Sequence, residues 1–100
     1  MRLTHRIKRR ISEDYTPEDR SAVEELLLDL ASGLEKDEGF SQAELERIIA
    51  ATLIGGGGDV DRLLNWVQFA RRDFRDVLVG SGLEHSDWPE RLDSEFGTDS

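Results

Sequence analysis

The chain has no cysteine, which excludes disulfides, thiolate metal sites and cysteine nucleophiles. Proline is almost absent as well: Pro17 and Pro89 are the only two, and each stands where a helix would begin. No long apolar run exists. The longest uncharged stretch, Ile48 to Gly58, is too short to cross a bilayer and carries four glycines. The basic N-terminus is not followed by the apolar segment of a signal peptide, so the expectation is a cytoplasmic protein with no membrane partner. Alternating β patterns, hairpin turns and internal repeats are missing too.

One further absence is local. Residues 1–10 hold five bases and no acid, whereas residues 11–100 hold 8 bases and 22 acids. The overall charge of −9 therefore hides a basic arm joined to a body of −14. Arginine outnumbers lysine 11 to 2, a bias for which the sequence by itself offers no reason. Leu, Ile, Val and Phe together number 27, enough for a small core despite the charge.

Helical punctuation is clear. Leu3, Ile7 and Ile11 suit one stripe of a short N-terminal helix, although the same odd positions would line one face of a strand. Thr16-Pro17-Glu18-Asp19 is a helix start, with a cap, a proline at the first position and two acids near the positive end of the dipole. It opens a helix over about residues 17–33, whose inner face is Val23, Leu26, Leu27, Leu30 and Leu34. Leu28 points away from that stripe. Ser41-Gln42-Ala43-Glu44 is a capping box, stapled by Phe40 and Leu45, and predicts a helix over residues 42–54. Asp59 caps a third helix over residues 60–79, with Leu63, Leu64, Val67, Ala70, Phe74, Val77 and Leu78 inward. Trp66 and Phe69 widen its apolar arc to roughly 200°, where a surface helix needs about 100°. That surplus predicts a central helix or a partner, with a homodimer as one form. A short helix over residues 88–96 follows, and residues 98–100 are expected to fray.

The fold class is thus all-α: a small bundle of three main helices, a short C-terminal helix and a short helix or arm over residues 1–12. Residues 13–97 form the acidic domain.

Candidate chemistry is eliminated step by step. The glycines before the third helix are followed by Asp59 and Asp61, which repel an anion, so no phosphate loop is read here. Aligning Glu44 as the last ligand of a calcium loop puts Gly33 at the first ligand and Glu38 at the turn glycine; both fail. His85, beside Glu84 and Asp87, is the one candidate base, and no third ligand or nucleophile accompanies it. No catalytic, cofactor or metal set survives. The remaining reading is a non-enzymatic protein–protein interaction module, regulatory, adaptor or inhibitor-like, with Leu28, Trp66, Phe69, Arg71, Arg72 and Arg75 as contacts. The second reading is a nucleic-acid-associated protein whose Arg2, Arg6, Lys8, Arg9 and Arg10 contact phosphate or an acidic partner.

Overall fold

A computed structural model describes residues 2–98 and contains six α-helices, with no strand among those residues. They are α1 (His5–Asp14), α2 (Pro17–Glu38), α3 (Gln42–Gly56), α4 (Val60–Arg72), α5 (Phe74–Ser81) and α6 (Trp88–Phe96). The expected frayed tail falls largely on Asp99 and Ser100, which lie outside the described residues.

In α1 the helical period prevails over the strand period. Leu3, Ile7, Ile11 and Tyr15 are buried at steps of four, whereas His5 and Arg9, which a strand would place on the same face, are exposed. The Thr4 hydroxyl starts this helix by accepting from the Ile7 N–H.

The second helix runs further than residues 17–33. Gly33 does not stop it, because Ala31 and Leu34 keep the buried stripe going through that turn. It ends at Gly39, whose φ of 68° is left-handed and free of strain only for glycine. At about 1.5 Å per residue the 22 residues reach about 33 Å, nearly the 34 Å long axis of the molecule. A Cβ on Gly33 would meet no atom within 4 Å. Gly33→Ala is therefore expected to stabilise the protein by about 0.5–1 kcal/mol, read as a rise in the urea midpoint at unchanged slope.

The central element is α3, not the third predicted helix. Leu45, Ile48, Ile49, Ala50, Ala51 and Leu53 are at most 2% exposed, and Gly55 and Gly56 are buried as well. The uncharged run from Ile48 to Gly56 is the signature of a helix covered on nearly every side. All five other helices pack against it, giving a radius of gyration of 12.2 Å against the ~13 Å expected of a 100-residue domain. Thr52, buried in this helix, donates to the Ile48 carbonyl at 2.8 Å and so leaves no orphan hydroxyl.

The helix expected over residues 60–79 is two helices. Asp73 has an extended backbone (φ −156°, ψ 99°) and ends α4 while beginning α5. Its N–H donates to the Phe69 carbonyl, and its carboxylate accepts from the Arg75 N–H at 3.0 Å. Aspartate is a better cap than a helix interior residue, so the chain breaks there although the apolar period continues. The break turns Phe74 onto Phe40, the rings meeting edge to face at 4.9 Å. A second correction concerns Leu64, expected inward but 41% exposed.

Candidate functional site

The basic residues of α1 do not form a free arm. The Arg6 guanidinium donates to the Glu46 carboxylate twice, from Nε at 3.0 Å and from Nη2 at 2.5 Å. Glu46 lies on the central helix, is 7% exposed, and also accepts from the Thr4 hydroxyl at 2.6 Å. The other side of Arg6 reaches α6, bonding Asp93 at 2.5 Å and the Gly97 carbonyl at 3.2 Å. The Glu46 hydrogen bonds hold the Arg6 pKa far above its ordinary value, with Asp93 adding to them against a smaller opposing effect of burial.

Arg9 and Arg10 complete the same contact. Arg9 donates to the Phe96 carbonyl at 2.8 Å and Arg10 to the Glu95 carbonyl at 3.1 Å. Arg10 also pairs with Asp14 at 2.8 Å and lies 4.7 Å from the Phe96 ring centre. Three consecutive carbonyls at the end of α6, a helix with no base in its last turn, thus receive three guanidiniums from α1. They satisfy orphan acceptors and oppose the negative end of the dipole.

The same device recurs. Arg20 caps the end of α1 through the Ser12 and Tyr15 carbonyls, and Arg47 donates to the Leu83 carbonyl at 2.8 Å while lying 5.0 Å from the Trp88 ring. A planar fork that reaches several acceptors at once explains a preference for arginine that a single ammonium could not satisfy. Arg2 and Lys8 remain exposed, sharing a groove of about 370 Å³ between α1 and α2 with Ser21, Glu24, Glu25 and Leu28.

The six expected contact residues do not form one patch, although Trp66 and Phe69 share a pocket and Arg72 lies beside the Phe69 ring. Leu28 is half-buried in that α1–α2 groove. Trp66 is partly buried in a slot between two glycines. A Cβ on Gly55 would lie 2.0 Å from its Cδ2, and one on Gly80 would lie 2.8 Å from its Cη2. The Trp66 part of the surplus on the third predicted helix is thereby covered within one chain. Phe69 is 48% exposed, with Arg72 at 5.9 Å from its ring centre, and shares a shallow pocket with Trp66, Asp76 and Val77. Arg71 bonds Asp29 at 3.0 Å, linking α4 to α2. Arg75 folds back on Asp73, whose carboxyl it holds below the usual carboxylate range; the same contact raises the Arg75 pKa.

A surface that sequence reasoning missed lies between α2 and α4. Val23, Leu26, Val60 and Leu64 line a depression of about 250 Å³ with Asp19 and Ala22. It continues along α2 past Ala22 and Leu26 to Glu25 and Asp29. The available signal was the width of the apolar arc on α4, which spills over at the Leu64 edge as well as at Trp66.

His85 is exposed and faces Glu84 at 3.4 Å. Among the described residues no group of three or more His, Asp and Glu converges to hold a metal ion. The Tyr15 hydroxyl is buried against Gly56 without a well-formed hydrogen bond. Burial raises its pKa, Asp14 adds to the shift, and a weak contact with the Gly58 N–H opposes it. No helix among the described residues is long and apolar enough to cross a membrane. Compared with known proteins, the chain matches no family model, no curated protein and no solved structure.

Proposed function

We propose that the chain is a small non-enzymatic protein–protein interaction module, regulatory, adaptor or inhibitor-like, working through its acidic helical surface. One observation carries this reading: three bases of α1 are engaged within the fold while most of the acids among the described residues face solvent. Arg6, Arg9 and Arg10 are committed to Glu46 and the end of α6. Helix α2, by contrast, has eight acids and two bases, and Glu18, Glu25 and Asp29 stand exposed about one to two turns apart on one side of it. A surface of that sign steers a basic protein toward it and repels nucleic acid.

The test is affinity capture from the native host at low and moderate salt. Wild type is compared with a Glu18→Gln, Glu25→Gln, Asp29→Asn variant. The expected result is a protein held by wild type, weakened by salt and lost by the variant. Capture of the same proteins by both would sink the acidic-surface reading.

The alternative, nucleic-acid association through residues 2–10, makes a quantitative contrast. Arg2, Lys8 and Arg9 are exposed, but Arg9 is tied to the Phe96 carbonyl, so with Arg2 and Lys8 reaching phosphate, log affinity for duplex DNA should fall with log salt at a slope of about −2. A slope near −4 or −5 would mean that all five bases reach phosphate and that the contact with α6 opens.

A further inference from the structure

We infer that the depression between α2 and α4 is the docking groove for a basic amphipathic helix of a partner protein. The inference deepens the interaction reading above and rests on it. Its floor is apolar: Val23 and Leu26 from α2, Val60 and Leu64 from α4. Its α2 rim is acidic, with Asp19, Glu25 and Asp29. Neither stretch is lined by a base, and Arg71 of α4 is held by Asp29 at 3.0 Å.

Length and shape favour a helix as occupant. From Asp19 to Asp29 the rim spans ten residues of α2, about 15 Å or nearly three turns. Two packed helices offer a third the same ridge-and-groove surface they offer each other, and apolar residues at three- and four-residue spacing would meet Leu26 and Leu64. Charge selects which helix. Lysines or arginines flanking its apolar stripe would face Asp19, Glu25 and Asp29, whereas an acidic helix would meet like charges. A second copy of this chain fits poorly. Its net-basic amphipathic helices are α1 and α4; three bases of α1 are bound in cis, and Val60 and Leu64 of α4 already wall the groove of their own chain.

The probe is a labelled leucine–lysine amphipathic peptide about four turns long, with a leucine–glutamate twin as control. Binding is read by fluorescence anisotropy, and the site by amide chemical shifts. Leu64 and Phe69 are exposed, so lysine at either position should leave the fold intact, which circular dichroism verifies. Leu64→Lys is expected to weaken the peptide at least about ten-fold, as expected when an apolar anchor is lost from an interface. Phe69→Lys should leave its affinity unchanged, and shifts should centre on Ala22, Leu26 and Leu64. Absence of binding, equal binding by the Leu64 variant, or loss in the Phe69 variant instead would overturn the groove. So would a dimer of the protein alone that Leu64→Lys dissociates, since a second copy would then own it. Host capture that still depends on Glu18, Glu25 and Asp29 after such a failure would leave the acidic-surface reading standing.

Discussion

Replacing Arg6 with alanine is expected to lower the melting temperature by about 15–30 °C. The side chains of Arg6 and Glu46 are 12% and 10% exposed. Without the guanidinium, the Glu46 carboxylate would remain in the central helix with the Thr4 hydroxyl as its remaining partner among the hydrogen bonds described above. Breaking one half of a buried ion pair costs about 3–5 kcal/mol, because the surviving charge has lost its water and its partner. A domain of this size has about 5–15 kcal/mol in all, so the variant should sit near its unfolding threshold at moderate temperature. Thermal melts followed by circular dichroism measure this directly. The double variant Arg6→Met, Glu46→Leu removes both charges and should recover most of the loss. Recovery stays incomplete because Asp93 and the Gly97 carbonyl also lose a donor. A double variant as unstable as the single one would show that the α6 contacts carry the effect, not the buried pair.

Gly55→Ala is expected to destabilise by about 1–3 kcal/mol, although alanine is the better helix former. The new methyl would lie 2.0–2.3 Å from Cδ2, Cε2 and Cε3 of Trp66, well inside contact distance. Gly80 approaches the far edge of the same ring, so the indole cannot slide away along its slot and must swing out. Its fluorescence should then shift to the red, measured in a Trp88→Phe background so that one indole reports. In a Trp66→Ala background the same glycine substitution should be nearly neutral or stabilising, which a double-mutant cycle reads as coupling. A cost that persists without the indole would contradict the slot.

Local signals reached the sequence intact. Ser41 accepts from the Glu44 N–H and Asp59 from the Arg62 N–H at the helix starts expected of them, and Trp88–Phe96 is the short last helix. Such capping spans three residues, so a single stretch of chain contains both partners. What the sequence hid depends on distance. Asp73 breaks a helix whose apolar period runs on through Phe74, Val77 and Leu78, and its local cap is joined by a distant contact, that of Phe74 with Phe40. The fate of Trp66 turns on a glycine eleven residues back and another on a different helix. For the candidate surfaces the limit was sharper still. Of the six contact residues expected on composition and helical phase, Trp66, Phe69 and Arg72 lie together while Leu28 lies in another groove, and the α2–α4 groove required knowing which two helices are neighbours.

The arginine contacts of α1 also set an order in time. Arg6 is separated from Glu46 by 40 residues, from Asp93 by 87 and from Gly97 by 91. At about 5–20 residues per second, a ribosome delivers Glu46 about 2–8 s after Arg6 and the end of α6 about 4–18 s after it. During that interval Arg6 has its carboxylate on α3, while Arg9 and Arg10 still wait for carbonyls that have not been made. The newborn chain therefore displays guanidiniums on α1 that only the finished chain engages.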